Sequence, residues 1–131
     1  MGRYQEVVYS IAVLAASYLL FKVLNCSSPA LVAALTPIVA LAHEAVHLLT
    51  IRLLGLRHRV AVRGMKVGFV IDFDNPKKYI VCALSPQVIT AMLAILSIHT
   101  PELAVLALIH VAMSVHDIAK SLKYARMLSN L

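Results

Sequence analysis

Four apolar runs constrain this chain more than any other feature. They fall at about residues 7–24, 29–51, 79–98 and 103–119, each close to the ~20 residues a helix needs to cross a hydrocarbon core. In lipid a backbone amide finds no water, so such a run must pair its own N–H and C=O groups as a helix. The chain has 131 residues, 61% of them apolar, which leaves room for a single integral-membrane domain, residues 1–131. The expected fold is an all-α membrane protein of four transmembrane helices. A short β-hairpin at about 58–73 should lie between the second and third helices.

The net charge of +6 would suit a nucleic-acid partner if it were spread over a soluble surface. Instead it is sorted by the apolar runs. Arg52, Arg57, Arg59, Arg63, Lys66, Lys77 and Lys78 lie between the second and third runs. Lys120, Lys123 and Arg126 follow the fourth, and Arg3 precedes the first. With four spans these regions share one side, leaving only Lys22 on the other. Positive residues collect on the cytoplasmic side, so both termini of this multi-pass protein are expected in the cytoplasm. The expected partner is then the lipid bilayer, with no nucleic acid. The first run has no clear small-x-small cleavage site and reads as an uncleaved helix. Cys26 and Cys82 sit near or within apolar runs, without C-x-x-C spacing, and read as free, packed thiols.

Ser28 and Pro29 read as the cap and first residue of the second helix, which Pro37 should bend. Residues 52–78 form the only sizeable polar segment. Partial alternation around Val60, Val62, Val67, Phe69 and Ile71 predicts strands at about 58–63 and 66–73, turning at Arg63-Gly64. Such a hairpin at the cytoplasmic interface can meet anionic headgroups or hold an extended peptide as an added strand. Val67, Phe69 and Ile71 are the candidate residues for that strand. Asp72 to Pro76 reads as a turn and cap, in preference to metal ligation by Asp72 or Asp74. Ser85-Pro86 should kink the third span, and Thr100-Pro101-Glu102 should start the fourth helix. In that helix His110, Ser114, Asp117, Ser121 and Tyr124 recur as a polar stripe, which should face the bundle interior. His116 falls elsewhere, with Lys120 and Lys123.

Inside the second run stands His43-Glu44-Ala45-Val46-His47. Histidines four apart lie one turn from each other on one helix face, so their ring nitrogens can converge on a metal ion. Glu44, beside the first, can reach a water bound there. An acid in a membrane span costs a few kcal/mol, so a functional role is expected over two core histidines paired by Glu44. A catalytic zinc asks for a third protein ligand and keeps one position for water. The other carboxylate within the spans is Asp117. Counting inward from the flanking basic residues, the His pair lies about 10 Å deep and Asp117 about 5–9 Å deep. Antiparallel neighbours would bring them together, so Asp117 is the expected third ligand. His110, about 10 Å deeper than Asp117, is the alternative ligand. His110 and Ser114 are also candidates for orienting the imidazoles.

The elements follow one another in a set order: a His43–His47 motif in a span, strands, a span with Ser85-Pro86, and an Asp in the last span. In this order the chain resembles the site-2 protease group of intramembrane zinc metalloproteases. Closer still are the very small four-span zincin peptidases of bacteria and archaea. The zinc motif is the specific part; Asp117 is followed by Ile118 where site-2 proteases have Asp-Gly. The resemblance implies a prokaryotic cell membrane, one zinc ion (Zn2+), and proteolysis of membrane-protein or peptide substrates.

The expected function is therefore that of a zinc-dependent intramembrane endopeptidase, with metal ligands His43, His47 and Asp117 and with Glu44 as the general base. One alternative is a non-enzymatic metal-binding or metal-transport membrane protein, which would use the same ligands without needing Glu44. Another is a catalytically inactive relative with a structural or regulatory role. A haem-binding bundle fits less well, because a pair on one helix turn suits zinc better than two-sided axial ligation.

Overall fold

A computed structural model describes residues 3–63, 66–71 and 75–129. Its elements are α1 (Arg3–Val23), α2 (Pro29–Leu53), β1 (His58–Arg63), β2 (Lys66–Ile71), α3 (Pro76–Leu84), α4 (Gln87–Leu96) and α5 (Glu102–Ser129). The expected class holds: the chain is mostly helical with one two-stranded antiparallel hairpin. α2, α5 and the interrupted Pro76–Leu96 segment are long and apolar enough to cross a membrane, while the apolar part of α1, Val8–Val23, is shorter. Large apolar side chains point outward, as lipid-facing helices require. Leu14, Leu41 and Ile95 are 70%, 72% and 66% exposed, a pattern that water would punish on three helices at once.

Local chemistry sets the helix ends. Ser28 Oγ accepts the Leu31 N–H at 3.2 Å, capping α2 just ahead of Pro29. Asn75 caps α3 in the same way, its side chain accepting the Lys77 N–H at 2.8 Å with Pro76 next in line. α1 and α2 both end on a residue in the left-handed region, Asn25 (φ 49°) and Gly55 (φ 64°). At α1 the Asn25 and Cys26 N–H groups reach back to Lys22 O and Phe21 O, both at 3.1 Å. At α2 the Gly55 N–H reaches Arg52 O at 3.1 Å and the Leu56 N–H reaches Ile51 O at 3.0 Å. This double pairing satisfies the last carbonyls, and a hydrophobic contact usually accompanies it. Here that contact joins Leu56 to Ile51 in one buried cluster.

The hairpin ladder runs from His58 opposite Ile71 to Arg63 opposite Lys66. Strand β2 spans Lys66–Ile71, and the remainder of the expected strand, residues 72–73, lies outside the described residues. The Arg63-Gly64 turn and the reading of Asp72 and Asp74 as turn or ligands fall on Gly64, Asp72 and Asp74, outside the described residues. At Ser85-Pro86 the helix is interrupted outright: α3 stops at Leu84, α4 starts at Gln87, and Pro86 is fully buried. α2 instead continues through Pro37, where the Thr36 hydroxyl donates to Val32 O at 2.7 Å.

The chain forms two compact units, Met1–Ala40 with Val88–Met113, and Leu41–Gln87 with Ser114–Leu131. In the first, the Tyr9 hydroxyl donates to Ala112 O at 2.7 Å, tying α1 to α5. Glu102 Oε1 accepts the Ser27 N–H at 2.9 Å and the Ser27 hydroxyl and Ser28 N–H at 3.1 Å each. Expected to serve its own helix, Glu102 thus closes the N-terminus of α2 as well, where an anion meets the positive helix end. In the second unit Ile51, Leu56 and Cys82 form a buried cluster with Leu54 and Ile71 packed against it. Tyr79 of α3 and Tyr124 of α5 lie with ring centroids 4.5 Å apart.

Candidate metal centre

The second unit holds a constellation of three ligand-type side chains. α2 sets His43 and His47 one turn apart, and the C-terminal half of α5 supplies Asp117. His43 Nε2 and His47 Nε2 lie 3.1 Å from each other. Asp117 Oδ2 is 3.6 Å from the first and 3.5 Å from the second. The imidazoles are nearly perpendicular, at 81°, so their edges meet and they do not stack. His43 is only 4% exposed, which keeps bulk water from one side of the group. Among the described residues these three form the group whose ligand atoms gather closely enough to hold a metal.

The donor set and its spacing fit zinc. Ligands on a tetrahedral zinc with bonds of about 2.0–2.1 Å stand about 3.3–3.4 Å apart. The three observed separations, 3.1, 3.5 and 3.6 Å, bracket that value. The nearest point equidistant from three atoms so placed lies about 2.0 Å from each, no farther than a zinc–nitrogen bond. Two nitrogens and one carboxylate oxygen are also a combination that zinc accepts in hydrolytic sites.

The structure brings Asp117 to the histidine pair. It places His110 in the first unit, fully buried, with Nδ1 2.7 Å from Thr90 Oγ1. Glu44 follows His43 on α2 and is half-buried. Ser114 is fully buried one turn before Asp117, and the Ser121 hydroxyl donates at 2.8 Å to the backbone carbonyl of Asp117, not to its carboxylate. The polar stripe thus turns inward: His110, Ser114 and Ser121 are buried, Asp117 and Tyr124 half-buried, and His116 exposed. Of the strand candidates, Val67 and Phe69 sit opposite Val62 and Val60 in the ladder; their side chains are outside the described set. Ile71 packs against the Ile51–Leu56–Cys82 cluster.

One partner was missed at the level of sequence. His47 Nδ1 lies 3.0 Å from the backbone carbonyl of Cys82. A carbonyl can only accept, so Nδ1 carries the proton; in the neutral form that metal binding requires, the ring offers its Nε2 lone pair on the side of His43 and Asp117. The Ser85 hydroxyl donates to the same carbonyl at 2.8 Å. Ser114 and His110 were the expected orienting groups; for His47 the structure supplies main chain. The signal available was a proline four residues beyond Cys82.

No curated protein and no solved structure matches this chain. The model of one family, described as "putative zincin peptidase", matches residues 35–130. That stretch takes in His43, Glu44, His47, the hairpin and Asp117. The match covers well over half of the chain, and the protein belongs to this zincin peptidase family.

Proposed function

We propose that the protein is a zinc-dependent intramembrane endopeptidase, hydrolysing peptide bonds of membrane or juxtamembrane protein substrates. The observation that carries this reading is the convergence of His43 Nε2, His47 Nε2 and Asp117 Oδ2 within 3.1–3.6 Å, with a carboxylate next to the first histidine. One zinc ion bound there supplies Lewis acidity, making water a nucleophile near neutral pH and polarising the scissile carbonyl. His43 and His47 contribute neutral nitrogens, and Asp117 contributes the one negative charge of the set. Glu44 takes a proton from the attacking water on a carboxylate oxygen. It returns that proton to the amide nitrogen as the C–O bond forms and the C–N bond breaks. The Cys82 carbonyl keeps the His47 ring oriented meanwhile.

A helical substrate hides its peptide bonds, so the target segment must be extended at the site. A strand added along β2 would hold it so. The clustered basic residues support an orientation with the hairpin and both termini on the cytoplasmic side.

Detergent-purified protein should contain one zinc per chain and cleave a transmembrane or juxtamembrane peptide. Glu44→Gln should slow cleavage by about two to four orders of magnitude and retain the zinc, whereas metal transport by the same ligands would be indifferent to that change. Folded protein that takes up no zinc refutes the reading.

A further inference from the structure

We propose that the helix break at Ser85-Pro86 is a positioning device for the metal centre: Pro86 frees the Cys82 carbonyl to accept a hydrogen bond from the His47 Nδ1–H. The proposal rests on the zinc reading above. In a continuous helix the carbonyl of residue 82 would accept the N–H of residue 86. Residue 86 is proline and has none. Its ring also crowds the carbonyl four residues back and tilts it away from the helix axis.

The backbone leading to Pro86 is otherwise helical. Ser85 has φ −54° and ψ −37°, and its own N–H makes the regular bond to Val81 O at 3.0 Å. An N–H at position 86 would therefore point at the Cys82 carbonyl. What the carbonyl meets in its place are two side chains, the Ser85 hydroxyl at 2.8 Å and His47 Nδ1 at 3.0 Å. A carbonyl oxygen has two lone pairs, and both are now used. Cys82 is 3% exposed, so water does not compete for that oxygen. The proline thus converts a helix hydrogen bond into one that fixes the tilt and protonation of a metal-binding ring. Removing such an outer partner of a metal ligand weakens metal binding by about 10–100-fold.

Pro86→Ala restores the competing N–H. Pro37→Ala is the control, repairing a proline inside continuous helix α2 with no part in the centre. Two readouts apply to detergent-solubilised protein: 15N and 1H resonances of the His47 ring in the metal-free state, and the zinc dissociation constant by chelator competition. The wild type should show a proton on His47 Nδ1 in a hydrogen bond. Pro86→Ala should lose that bonded signal and bind zinc about tenfold more weakly or worse, while Pro37→Ala changes neither beyond twofold. Unchanged ring resonances and affinity in a folded Pro86→Ala protein overturn the proposal, as does an equal effect of Pro37→Ala. Should Pro86→Ala fail to fold, the wild type alone decides: a metal-free His47 without a proton on Nδ1 overturns it. Wild type that binds no zinc sinks the peptidase reading and leaves the ring measurement to judge the hydrogen bond separately.

Discussion

Replacing Asp117 by Asn keeps the shape of the side chain and removes the negative charge that, among the described residues, lies against the histidine pair. A zinc site built by a protein binds its metal with about 10–16 kcal/mol, so one ligand among three or four accounts for about 3–5 kcal/mol. Asp117 is 30% exposed at its side chain, and water or the amide oxygen can partly replace the lost ligand. The lower end applies: about 3 kcal/mol, a dissociation constant about a hundredfold weaker. Chelator competition in detergent reads that change directly. Thermal unfolding reads it independently. Zinc at a thousandfold excess over its wild-type dissociation constant stabilises the folded state by about 4 kcal/mol, and a hundredfold weaker site gains only about 1.4 kcal/mol from the same zinc. His43→Ala serves as the reference for a lost ligand. If Asp117→Asn binds zinc within threefold of wild type while His43→Ala does not bind, the third ligand is another group and the geometry has been misread.

Other consequences can be checked with equal economy of means. Glu44→Gln should retain the wild-type zinc affinity and lose about two to four orders of magnitude in hydrolysis rate, the contribution of a positioned general base; a comparable loss of zinc would make Glu44 a ligand. Gly55→Ala should lower stability by about 0.5–1 kcal/mol in a denaturation midpoint, since the left-handed φ costs about 1–2 kcal/mol and the stiffer unfolded chain returns part of it. The added Cβ meets nothing within 4 Å, so a larger loss would expose a role beyond conformation. Cys26, half-exposed in the turn before α2, should react in intact cells with a membrane-impermeant thiol reagent, and buried Cys82 should not. Labelling of Cys26 only after permeabilisation would reverse the proposed orientation.

Much of this arrangement was legible because charge is scarce in lipid. Burial of an apolar face carries little information when the surroundings are apolar too, so polar exceptions mark the interior. That logic picked out the stripe on α5, and the stripe is buried at His110, Ser114 and Ser121. Counting turns inward from Arg52 and from Lys120 brought Asp117 and the histidine pair to one depth without any pairwise contact to go on. Where such exceptions are missing, nothing in an apolar run marks its inner face. α1 carries no charged residue between Glu6 and Lys22, and its tie through the Tyr9 hydroxyl to Ala112 O could not be read from the run.

The partner of His47 escaped for a different reason. Spacing rules search for side chains that can pair, and the group that pairs is a main-chain carbonyl whose availability is set by a residue four positions away. In lipid a carbonyl stripped of its helix donor has no water to fall back on and costs about 1–3 kcal/mol unless something else donates. A proline inside a spanning segment therefore implies a donor nearby, and the candidates are few enough to enumerate. Around Cys82 they are the Ser85 hydroxyl, one turn along the same helix, and the ring N–H of a histidine brought in by α2. At Pro37 the same reasoning names the Ala33 carbonyl as the one deprived, nearly three helical turns before His43 on α2. Two prolines that read alike as helix disturbances thus release different carbonyls, of which the one at Cys82 meets a metal-binding ring. That difference gives the paired substitutions their power: equal helix repair, and an effect on the metal centre from only one of them.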